Sequence, residues 1–150
     1  MEMVFGGRTN GKQSATMTID KLEQYYGIAA EIDAIDKEIM TLYNPVSSPN
    51  GHTEPHGTTP SNPTERGALR IIMLKEKAEA KRERLYDLLE EIETWLSTLT
   101  DTEISAIIRW HYLLRLDWKR TNMKVYGYPD YDHSRKKISR YFQKLTELSE

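Results

Sequence analysis

Two stretches of this chain space their apolar residues three and four apart in strict alternation, and a segment that can be neither helix nor central strand lies between them. In the first, Tyr25, Ile28, Ile32, Ile35, Ile39 and Leu42 step by 3, 4, 3, 4 and 3. In the second, Ile71, Leu74, Ala78, Lys81, Leu85, Leu88, Ile92, Trp95 and Leu99 keep the same rhythm, with Lys81 as the one charged member. Such alternation holds a stripe on one side of a helix, the a/d seam of a coiled coil. Residues 44–63 hold five of the six prolines together with Gly51 and Gly57, and proline both removes a backbone donor and blocks the preceding turn. The pattern predicts helices over 18–43 and 64–99 joined by a loop of about twenty residues, longer than compact domains usually keep. An antiparallel hairpin, with Ile39 near Ile71 and Tyr25 near Leu85, is the simplest arrangement. The same seams could instead pair between two copies, giving a homodimer. Lys81 would then select a register, or would lay its stem along the seam and extend its ammonium to the outside.

At 150 residues and 38% hydrophobic content, the chain supports one modest domain, or a small domain with a helical extension. It contains no cysteine, which excludes disulfides and thiolate metal sites. No apolar run approaches the roughly 20 residues of a membrane span, and residues 1–16 are Gly-, Thr- and Ser-rich without period. The expectations are a flexible tail over 1–16, a soluble cytoplasmic protein and no membrane partner.

Charge is unevenly divided. Residues 101–150 hold ten Lys and Arg against seven Asp and Glu, about +3, while the remainder is about −5. Residues 115–144 alone carry nine bases and three acids. This region also shows helix punctuation. Thr100 followed by Glu103 reads as a capping box that starts a helix at about Asp101. Asp117 can cap a short helix over 118–126, which Gly127 ends and Tyr128-Pro129 turns. A third helix is expected over about 130–148. On a helical wheel it places Tyr131, Ser134, Ile138, Tyr141, Phe142 and Leu145 inward, and His133, Lys136, Arg140, Gln143 and Lys144 outward with Lys137 at the flank. Long cationic and amide side chains after a tight turn suit DNA: arginine can bond guanine with two hydrogen bonds, glutamine adenine, and lysine a phosphate. Arg115, Lys119, Arg120 and Lys124 would grip the flanking backbone.

Leu116-Asp117-Trp118, Lys124-Val125-Tyr126-Gly127, Ser134-Arg135-Lys136 and Arg140-Tyr141-Phe142 together resemble the helix-turn-helix of phage transcriptional regulators related to sigma-factor region 4, the ArpU and RinA type of late-gene activator. The family usually places a hydrophobic residue and alanine in the second helix where this chain has Thr121 and Asn122. The resemblance implies an all-α fold, a helical hairpin over 17–99 followed by a three-helix module over 100–150, double-stranded DNA as ligand and control of transcription, with the hairpin dimerising or contacting RNA polymerase or another host protein. It implies no catalytic site and no cofactor. In a dimer, the distance between copies would set the spacing of half-sites.

Other classes remain open at this level. An acidic hairpin could inhibit a host nuclease or polymerase by imitating nucleic acid, and a terminase DNA-recognition subunit would also combine such a module with helical oligomerisation. Gly6 to Ser14 nearly spells a phosphate-binding loop, but Gln13 stands where a hydroxyl should reach magnesium and no strand-helix alternation follows. His52 and His56 lack a third ligand, and His111, beside Trp110 and Tyr112, reads as a core or interface residue. No enzyme, metal or cofactor is expected.

Overall fold

A computed structural model describes residues 16–44 and 65–148. The expected tail before residue 16, most of the Pro/Gly loop, the Gly6 to Ser14 segment, His52 and His56 lie outside these described residues. Within them the chain is all-α: α1 Ile19–Tyr43, α2 Glu65–Leu96, α3 Thr102–Ile108 continuing into a π-helical turn Arg109–Leu113, α4 Trp118–Tyr126 and α5 His133–Leu148. No described helix is long and apolar enough to cross a membrane. Thr18 opens α1, its Oγ1 accepting from the Lys21 N–H at 3.2 Å. α2 stops short of the expected residue 99. Ser97 and Thr98 turn their hydroxyls onto the carbonyls of Thr94 and Trp95, both at 2.6 Å, which occupies acceptors that another helical turn would need.

The contacts divide into two compact units, one of residues 28–85 and one joining the residues before 28 to those from 86 onward. In the first, Ile35, Leu74 and Ala78 form the buried centre, with Ile39 and Leu42 packed against it. Ion pairs bracket this seam and show that the two helices run in opposite directions. Arg82 bonds both Asp36 oxygens at 2.8 and 2.9 Å, Lys81 meets Glu31 at 2.9 Å and Arg70 meets Glu38 at 2.8 Å. Lys81 is half-buried: its stem packs and its ammonium reaches an acid on the facing helix.

In the second unit, Met17, Leu22, Tyr25, Leu88, Ile92, Trp95 and Leu96 are buried together with Ile104, Ile107, Ile108, Tyr112, Ile138 and Phe142. Trp95 stacks on Phe142 at 5.6 Å and meets Tyr141 edge-on at 6.4 Å. Arg109 grips both carboxylate oxygens of Glu93 at 2.7 and 3.0 Å, and Lys21 pairs with Glu91 at 3.1 Å. The three helices at the C-terminal end are thus packed onto α1 and α2 residues of the same unit.

The first helix of that module departs from the expected form in two ways. Its N-cap is Asp101, whose Oδ1 accepts from the N–H groups of Glu103 and Ile104, both at 3.1 Å. The Thr100 capping box is therefore replaced by a carboxylate cap one residue later, which also suits the positive end of the helix dipole. After Ile108 the helix widens: Leu114 N–H bonds Arg109 O at 2.9 Å and Leu116 N–H bonds Trp110 O at 3.0 Å. Arg115 then takes a left-handed conformation at φ 58° and ends the turn.

Candidate nucleic-acid interface

α4 and α5 owe their positions to punctuation and to a buried polar lock. Asp117 Oδ1 caps α4 by accepting from Arg120 N–H at 2.8 Å. Gly127 ends it at φ 85°, a left-handed conformation that costs a residue with a Cβ about 1 kcal/mol or more. Asp130 Oδ1 then accepts from Asp132 and His133 N–H at 2.7 and 3.1 Å, so α5 begins at His133, three residues later than expected. Those two bonds hold the Asp130 carboxyl below the usual carboxylate range.

Thr121 and Asn122 are both fully buried. Asn122 donates to the Tyr128 carbonyl at 2.9 Å and accepts from Ser134 Oγ at 2.6 Å, tying α4 to the turn and to α5. Thr121 donates to the Leu116 carbonyl at 3.3 Å. Thr121 and Asn122 are thus the residues that join the module's parts.

α5 has two opposed faces. Ser134, Ile138 and Phe142 are buried, and Tyr141 and Leu145 are half-buried. Tyr131, expected inward, is 62% exposed because it precedes the helix, and Lys119 lies 5.8 Å above its ring. On the outer face Lys136, Arg140, Gln143 and Lys144 are exposed. Arg120 and Lys124 are exposed on α4, Lys124 standing 5.2 Å over the Trp110 ring. Arg115 is half-buried at the turn between the π-helical segment and α4.

Lys137 and His133, both among the expected contact residues, are held by partners inside the module. Lys137 pairs with Glu103 at 2.8 Å, and Glu103 also accepts from the Tyr126 hydroxyl. Its Lys137 and Tyr126 partners hold the Glu103 carboxyl below the ordinary range, while burial and that carboxylate raise the Tyr126 hydroxyl. His133 stacks on Tyr126 at 4.3 Å, and its Nδ1 meets the Tyr128 hydroxyl at 2.7 Å. Both residues brace α5 against α3 and the turn. Sequence reasoning missed these partners, although the interleaving of Tyr126, Tyr128 and His133 at the helix junction was visible.

His111 sits between Trp118, 3.5 Å away and nearly parallel, and Tyr26 at 5.4 Å, with Tyr112 edge-on at 4.7 Å. Its Nδ1 lies 2.7 Å from the Leu116 carbonyl, which can only accept, so Nδ1 carries the proton. Burial lowers the His111 pKa, against the opposing pull of that carbonyl and of Asp117. The unfolded chain therefore takes up a proton near pH 6.5 while the folded protein resists it. The stability contributed by neutral His111 is complete above about pH 6.5 and is lost as pH falls toward the lower folded value. The denaturant midpoint followed by tryptophan fluorescence should drop between about pH 7.5 and 5.5, and His111→Gln should flatten that drop. An unchanged slope would contradict the account.

No family model, curated protein or solved structure matches this chain. Among the described residues no group of three or more His, Asp or Glu side chains could hold a metal ion.

Proposed function

We propose that the chain is a DNA-binding regulator of the phage type whose α5 enters the major groove. The observation that carries this is the outer face of α5, where Lys136, Arg140, Gln143 and Lys144 are exposed opposite buried Ser134, Ile138 and Phe142. Arg140 and Gln143 have the donor geometry for base edges, and Lys136 and Lys144 flank them as phosphate contacts. Lys119, Arg120 and Lys124 on α4, with Arg115, would supply further contacts to the phosphate backbone. The polar lock at Asn122 supports the reading, since a groove-reading helix must be held at a fixed angle. Control of transcription follows when a protein bound this way recruits or blocks RNA polymerase.

The competing reading, an acidic hairpin that imitates nucleic acid, is disfavoured by a specific observation. Glu31, Asp36 and Glu38 on α1 are each in an ion pair with a base of α2. Those acids present much less negative potential than unpaired carboxylates would.

The test is duplex binding by fluorescence anisotropy across salt concentrations, for wild type and for Lys136→Ala/Arg140→Ala. Affinity should fall steeply with salt in the wild type, and the double variant should lose about 10- to 100-fold in affinity with a log-log salt slope shallower by about 1–2. Wild-type protein that shows no salt-dependent binding, or a variant that keeps the full affinity and slope, rejects the proposal.

A further inference from the structure

α2 carries a second apolar stripe that the hairpin does not use. Within the unit of residues 28–85, its buried positions Ile71, Leu74 and Ala78 face α1. Leu69, Ile72 and Met73 lie on the other side of the same helix, exposed at 59, 53 and 62%. Arg66, Leu69, Met73, Glu76 and Ala80 step by 3, 4, 3 and 4, the spacing of a coiled-coil seam. Among the described residues, no ion pair engages either Arg66 or Glu76.

We propose that this stripe pairs with the same stripe of a second copy, antiparallel about a two-fold axis near Ile71 and Ile72. Charge selects both the occupant and the direction. When Leu69 is set against the partner's Met73 in antiparallel register, Arg66 falls opposite the partner's Glu76, and symmetry repeats each contact. Ile72 meets the partner's Ile72 beside the axis. A parallel pairing would set Arg66 against the partner's Arg66 and Glu76 against the partner's Glu76, placing like charges together. The three side chains leave on the order of 300 Å² of apolar surface open, at the lower end of patches that matter for association. An interface of that size is weak, so the dimer forms and dissociates with concentration.

The inference does not depend on DNA binding, and it is tested without DNA. Sedimentation equilibrium of the full chain should show monomer converting to dimer over roughly 1–300 μM. Ile72→Glu should move the midpoint at least about tenfold higher, with helicity by circular dichroism retained because the residue lies outside the core. Arg66→Glu should weaken the dimer, and Arg66→Glu/Glu76→Arg should restore it. A wild type that stays monomeric throughout overturns the proposal, as does an oligomer indifferent to Ile72→Glu or a charge exchange that fails to recover association.

Discussion

Asn122→Ala should cost about 2–4 kcal/mol of stability, large for a single polar side chain. The substitution orphans two partners at once: the Ser134 hydroxyl loses its 2.6 Å acceptor and the Tyr128 carbonyl its 2.9 Å donor. Ser134 is fully buried, so water reaches its hydroxyl poorly. A small cavity adds to the loss. All three tryptophans, Trp95, Trp110 and Trp118, belong to the unit that contains Asn122, so their fluorescence follows its unfolding. Its transition should fall by roughly 5–15 °C. Ser134→Ala combined with Asn122→Ala should cost less than the two single changes added together, because each single change leaves its partner unsatisfied. Strict additivity would show that the Asn122 to Ser134 bond is not formed in solution. For the regulator proposal the consequence is an effect on DNA affinity from a residue that touches no DNA.

Trp95→Ala should be more severe, about 3–5 kcal/mol, against a total of about 5–15 kcal/mol for a domain of this kind. Trp95, near the end of α2, is 8% exposed, stacks on Phe142 of α5 and meets Tyr141 edge-on. Removing the indole leaves a void and loses ring-to-ring contacts worth more than their area alone. The unit containing Trp110 and Trp118 should unfold below about 45 °C while residues 28–85 keep part of the helical signal. Trp95→Phe should recover most of the loss, since the ring contact persists. A Trp95→Ala protein with a wild-type transition would mean that α5 is held elsewhere.

The all-α class was legible because it rests on period. A 3, 4 spacing over six and nine positions admits little else, and α1 and α2 follow it to within three residues at either end. Asp117 and Gly127 were equally legible, since a cap and a left-handed stop depend on one residue's own chemistry. Long-range pairing was not legible. Lys137 and Glu103 are far apart in sequence, and Lys137 looks like any cation on a solvated face until Glu103 is brought beside it. The π-helical turn and the left-handed Arg115 were also hidden, because tertiary contacts around His111, Trp118 and Leu116 select them over a regular helix. The Asp101 cap was misplaced by one residue since Thr100, Asp101 and Thr102 are all competent caps and only geometry chooses among them.

The unit that holds the basic face is assembled from segments remote in the chain, with Lys21 meeting Glu91 and Tyr26 stacking on His111. The residues 28–85 that separate those segments form the other unit. On a ribosome, α1 and most of α2 therefore emerge and can pair before any of α3 to α5 exists. That pairing shortens the effective loop between residues 27 and 86, and so lowers the entropy cost of bringing the two segments together. The hairpin acts as a folding splint: pairing along its seam favours assembly of the unit that carries the basic face of α5.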